Sequence, residues 1–178
     1  MGSLSAGFTT SGLFAANAGY IASNATAGLN VFTVGATSLT LGTNGTAALT
    51  LASNGAATFS NSVRSTSATA GIGYATGAGG AVTQITSRTT GVTLNTVSGA
   101  ITLFTAAGSA TWQSFTVTNS AVAATDTIIV NQRSGTDLYM VHVTAVAAGS
   151  FRISFATTGG TTSEAPVFNF SVIKAVSS

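Results

Sequence analysis

Few side chains in this sequence are able to do chemistry, and their spacing limits the chemistry open to them. The one histidine, His142, lies in the run 139–144 (YMVHVT), on a strand face that also carries Leu138, Met140 and Thr144. Acid–base or metal chemistry needs partners for it, and the acidic side chains of the chain are Asp126, Asp137 and Glu164. Nothing in the spacing brings them to His142. A metal reading survives only if three copies meet on an axis and His142 binds a cation as a neutral imidazole. The plainer expectation is a hydrogen-bonded strand histidine.

The acids read in the same way. Asp126, in the run 124–127 (ATDT), precedes a strand and is expected to form a turn through its side-chain acceptor. Asp137 faces Arg133 across a three-residue loop, which predicts a weak surface ion pair. Glu164 occupies a loop before the final strand. Glycoside hydrolysis needs two carboxyl groups about 5 to 9.5 Å apart, and three scattered acids do not predict such a pair. The glycines of 71–73 and 77–80 superficially suggest a phosphate loop, yet no Lys-Ser or Lys-Thr follows and no helical pattern begins there. A flexible hinge is expected instead. Trp112, Tyr74, Tyr139 and Phe104 would stack on sugars if exposed, although burial in a core is the default for aromatics.

Composition points away from catalysis. The 178 residues include five Lys or Arg, three Asp or Glu, one His and no Cys, so charged residues make up 4 % of the chain. A typical soluble domain carries about 25 %. A net charge of +2 without a basic cluster predicts no nucleic-acid partner. No apolar run reaches the roughly 18 residues of a spanning helix, and residues 1–20 lack the positive start of a cleaved leader. Neither membrane insertion nor a cofactor is expected. Interspersed charge keeps small domains apart, so its scarcity predicts surface hidden in an obligate homo-oligomer or on a larger assembly.

The elements divide at about residue 70. Residues 1–70 read as an attachment or shaft segment. Within it, 39–48 (LTLGTNGTAA) is followed by 49–58 (LTLASNGAAT), a repeat with a period of ten residues. Each copy is an alternating strand leading to an Asn-Gly reversal. A weaker copy begins at Leu29, and Phe59 continues the pattern. Such short strands need neighbours: three chains wrapped about an axis as a stalk, or, alternatively, a β-meander packed on the second part. Further upstream, Leu13, Phe14, Tyr20 and Ile21 read as anchors of a docking arm.

Residues 71–178 read as an all-β head, a sandwich or jelly roll of about eight strands. The expected strands are 82–85, 92–94, 100–103, 111–117, 127–132, 138–146, 150–155 and 167–175, with 133–137 and 147–149 closing hairpins. Alternation sets Phe151, Ile153 and Phe155 against Arg152 and Ser154, and Phe168, Phe170 and Val172 against Asn169, Ser171 and Ile173.

Residues 71–84 (GIGYATGAGGAVTQ), 91–95 (GVTLN), 124–131 (ATDTIIVN), 146–154 (VAAGSFRIS) and 163–170 (SEAPVFNF) resemble, in order and spacing, a C-terminal domain of tailed-bacteriophage fibre and other virion structural proteins. The upstream Leu-Thr-Leu and Asn-Gly repeats look like fibre-shaft texture. The resemblance implies a virion component, expected as an intertwined homotrimer with an exposed head, and no catalytic residues. It leaves the placement on the virion open: a tail fibre or spike whose head meets the host surface, with a surface glycan as the expected partner, or a head fibre or decoration protein bound to other virion proteins of the capsid. A free carbohydrate-binding module is a third reading, from outside the resemblance.

Overall fold

A computed structural model of the chain describes residues 36–69, 71–75 and 77–175. Leu13, Phe14, Tyr20, Ile21 and the weak repeat at Leu29 lie outside the described residues. The fold is all-β, with no helix among the described residues. The chain separates into two compact units, Met1–Thr66 and Ser67–Ser178.

In the first unit the repeats pair with each other. β1 (Leu39–Thr43), β2 (Thr46–Leu51) and β3 (Ala57–Phe59) form an antiparallel meander. Asn44 and Gly45 sit at φ values of 51° and 72°, the paired positive angles that let a two-residue turn follow the strand twist. The register sets Leu41 beside Leu49 and Leu49 beside Phe59, while Thr40, Thr50 and Thr58 form a row on the opposite face. The ten-residue period therefore separates a leucine face from a threonine face. Leu41 and Phe59 remain about half exposed.

In the second unit, two four-stranded sheets face each other across one core. One sheet has the order β4 (Gly79–Thr83), β6 (Ser98–Thr102), β13 (Val167–Ile173), β9 (Thr127–Ser134). The other has the order β10 (Tyr139–Ala147), β11 (Ser150–Thr157), β8 (Gln113–Thr118), β5 (Val92–Thr93). A small ribbon of β7 (Ala106–Ala107) and β12 (Ser163–Glu164) lies beside them in sequence order. The pairs β4–β6 and β5–β8 are parallel, and the other pairings are antiparallel.

Alternation places the core as expected. Phe151, Ile153 and Phe155 point inward from β11, and Phe168, Phe170 and Val172 from β13; all six are buried. Ring centroids meet across the layers at 5.1 Å for Phe151 and Phe170 and 5.5 Å for Phe155 and Phe168. Offset and edge-on contacts of this kind add to the area buried.

Two expectations about connections are corrected. Residues 133–137 do not close a hairpin: β9 pairs with β13 and β10 with β11, so the chain arches from one sheet to the other. Gly135, at φ 137°, makes the change of direction, and the Gln132 side chain spans the arch by donating to the Asp137 carbonyl at 2.8 Å and accepting from the Tyr139 N–H at 2.9 Å. The 147–149 turn does close the β10–β11 hairpin, with Gly149 at φ 80°.

The expected glycine hinge is also corrected, because Gly79 and Gly80 belong to β4. Gly80 pairs with Gly99, and together they form a notch for larger side chains. A Cβ on Gly99 would stand 2.6 Å from Leu94 Cδ2 and 2.9 Å from Phe170 Cε1. These glycines are strand residues made small by what packs over them.

Candidate functional site

The outer face of the β10–β11–β8–β5 sheet gathers the exposed groups best suited to binding. Trp112, just before β8, is 51 % exposed, contrary to the expectation of a buried ring. A bend holds it there: the Ser109 hydroxyl accepts from the Thr111 N–H at 3.1 Å, and the Ser109 carbonyl accepts from the Thr157 N–H at 2.8 Å. The indole therefore projects from a segment tied to the end of β11. The His142 ring lies against it, centroids 5.6 Å apart and tilted by 38°. His142 is the expected strand histidine, exposed on β10, but its ring meets the indole and has no hydrogen-bond partner among the described residues.

Next to the rings, β10 carries a bulge between Val143 and Ala145, where the register shifts by one residue. Bulges re-aim side chains and collect near functional sites. Here Thr144 meets the Ser154 hydroxyl at 2.7 Å and accepts from Arg152 Nε at 3.0 Å. Ser154 is the cross-strand partner of His142. Trp112, His142, Thr144 and Ser154 line an open depression of about 350 Å³. An apolar ring, two hydroxyls and a guanidinium on a rigid sheet suit a ligand with one apolar face and many hydroxyls.

The acidic residues do not join this site. Asp126 forms the expected turn, accepting from the Ala123 N–H at 2.8 Å, and also pairs with Lys174 at 2.5 Å. The Ala123 N–H first, then Lys174, holds its carboxyl below the ordinary range. Asp137 makes no pair with Arg133, which corrects that expectation. Its carboxylate is buried and accepts from the Thr162 N–H at 3.0 Å, because the arch turns it inward beneath Gly108 and Gly160. Glu164 lies in β12, not in a loop, and accepts from the N–H groups of Thr136 and Asp137. Burial pushes its carboxyl upward, but its hydrogen bonds, those two donors first, together leave it below the ordinary range.

Comparison with protein-family models, curated proteins and solved structures finds no match for this chain.

Two further expectations on aromatics are corrected: Tyr74 and Phe104 are exposed at 48 % and 36 %, and of the four only Tyr139 is buried. Tyr74 donates to the Val172 carbonyl and, with Ile72, Ile129 and Ile173, borders an apolar depression of about 610 Å³ on the other sheet. On that sheet Asn169, paired with Asn131, has a buried Oδ1 that is the one such side-chain atom without a hydrogen-bond partner among the described residues.

Arg88 is the polar residue that sequence reasoning missed. It is 3 % exposed, and its guanidinium donates to the carbonyls of Phe104, Ala106, Ala107 and Glu164 and to the Tyr139 hydroxyl. Gln84, also buried, donates to the carbonyls of Arg88 and Thr90 and accepts from the Phe104 N–H. A lone arginine within a Ser-Arg-Thr-Thr run carries no sequence signal for burial.

Proposed function

We propose that the chain is a non-enzymatic virion structural protein of a tailed bacteriophage, a homotrimeric fibre or spike whose β-sandwich head meets a host surface glycan. The observation that carries this reading is the exposed Trp112 ring braced by His142 beside Thr144, Ser154 and Arg152. A saccharide presents one face of C–H groups and a rim of hydroxyls, which matches an indole face next to hydroxyl partners.

Three considerations support the other parts of the reading, the first of them the sequence resemblance. The order and spacing of the segments from 71 to 170 resemble virion structural proteins. The three carboxylates are engaged by backbone N–H groups or Lys174, which favours binding over acid–base chemistry. The exposed leucine face of the β1–β3 meander and the 4 % charge content suit association with further copies or with other virion proteins.

The test is binding of the full chain to isolated host-envelope polysaccharide, with light scattering to count copies. Wild type should bind as a trimer, and Trp112→Ala should remain a folded trimer that binds at least tenfold more weakly. Equal binding by both proteins would remove the Trp112 face from the reading, and a monomer would remove the fibre. Immunogold microscopy of the source virion, with antibody against residues 71–178, separates a tail placement from a capsid one.

A further inference from the structure

We infer that the Trp112 face selects saccharides bearing a carboxylate, with Arg152 as the group that recognises the anion. The inference rests on the glycan-binding reading and adds the charge class of the ligand.

The chain has three acidic side chains, and the structure commits all of them elsewhere: Asp126 to Lys174 and the Ala123 N–H, Asp137 to the Thr162 N–H, and Glu164 to the Thr136 and Asp137 N–H groups. No acidic side chain among the described residues is left to pair with Arg152. Its Nε donates to Thr144 Oγ1 at 3.0 Å, and its two terminal nitrogens have no acceptor among the described residues. The fork is therefore held at one end and open at the other. A planar guanidinium in that state matches the two oxygens of a carboxylate.

The bulge at Thr144 is what makes this a built arrangement. Its hydroxyl is placed between Ser154 and Arg152, fixing a side chain that would otherwise sample many rotamers. Fixing it in advance lowers the ordering cost of binding. Arg152 and Ser154 are two residues apart on one face of β11, about 7 Å along the strand, and Ser154 pairs with His142 beneath the indole. Thr144, which holds Arg152 Nε, lines the same depression as Trp112, so a saccharide that rests on the indole and extends past Thr144 would bring a substituent toward the guanidinium.

The experiment uses the full chain against immobilised oligosaccharides ending in glucuronate, galacturonate or N-acetylneuraminate, each paired with its methyl ester. The ester keeps the ring and removes the charge. For at least one pair, wild type should bind the acid about ten- to hundredfold more tightly than the ester. Arg152→Gln should bring that ratio to about one, with an unchanged melting temperature as the folding control, and Arg152→Lys should give an intermediate ratio because it keeps the charge and loses the fork. Equal binding of acid and ester by wild type, or a ratio that survives in Arg152→Gln, overturns the inference and leaves the glycan platform standing. Binding of no member of any pair overturns the carboxylate assignment too, while retained binding to host polysaccharide in the preceding test would still support the platform.

Discussion

The Arg88 guanidinium lies 5.6 Å from the centre of the Tyr139 ring and donates to that residue's hydroxyl at 3.0 Å. The charge is buried without a carboxylate partner. Carbonyl dipoles from Phe104, Ala106, Ala107 and Glu164 take its place and tie the β6–β7 connection to β12 and to the start of β10.

Arg88→Met should accordingly destabilise the second unit by about 3 to 5 kcal/mol, because it leaves several buried carbonyls without donors. Arg88→Lys should recover only part of that loss, since an ammonium cannot reproduce the planar set of donors. Urea unfolding followed by Trp112 fluorescence measures both. A loss within about 0.5 kcal/mol for Arg88→Met would contradict the network.

Stability should fall at both ends of the pH range. Asp126 and Glu164 bind protons more weakly in the folded chain, so their contribution is complete above the ordinary carboxylate range of about 4 and is lost as pH falls through the depressed folded values. Tyr139 behaves in the opposite sense. Burial raises its hydroxyl against the nearby Arg88 charge, so its contribution is complete below about 10 and is lost as pH climbs through the raised folded value. Thermal melts across the acid and alkaline limbs check both signs, and Asp126→Asn should make the acid limb shallower.

Gly99→Val should cost about 1 to 3 kcal/mol, because the notch that receives Leu94 and Phe170 would be filled. Gly71→Ala is the matched control: a Cβ there meets nothing within 4 Å. Chemical denaturation of the two variants should differ clearly, and equal midpoints would show that the notch adjusts freely.

Trp112→Ala should shift stability by less than about 1 kcal/mol, since half of the ring already faces solvent. Binding and stability should therefore separate at this position. A melting temperature that falls as far as that of Arg88→Met would mark Trp112 as a packing residue and not a platform.

The inward faces of β11 and β13 were legible because Phe151, Ile153 and Phe155, and then Phe168, Phe170 and Val172, alternate without interruption. The Asn44–Gly45 reversal was legible because few residues accept two successive positive φ angles. Alternation names a face but not a neighbour, so the arch from β9 to β10 looked like a hairpin. It is also silent on Gly79 and Gly80, which show no side-chain pattern. The two-residue strands Ala106–Ala107 and Ser163–Glu164 are too short for a period. At the site, alternation against the buried Phe151, Ile153 and Phe155 is enough to turn Arg152 and Ser154 outward. The exposure of Trp112 and the burial of Arg88 depend on contacts between residues far apart in sequence.

The order β4–β6–β13–β9 makes the last of the described strands an interior one. β9 has no partner in its sheet except β13, and β13 alone joins it to the β4–β6 pair. During synthesis this layer cannot close until Ile173 has left the ribosome. Until then Ile101 and Ile128 belong to separate pieces, and Phe151 and Phe155 of β11 lack their ring partners Phe170 and Phe168. A chain interrupted before β13 would present sticky faces and open edges, so only polypeptides translated through that strand can give a finished second unit, and shorter products would be left for cellular proteases.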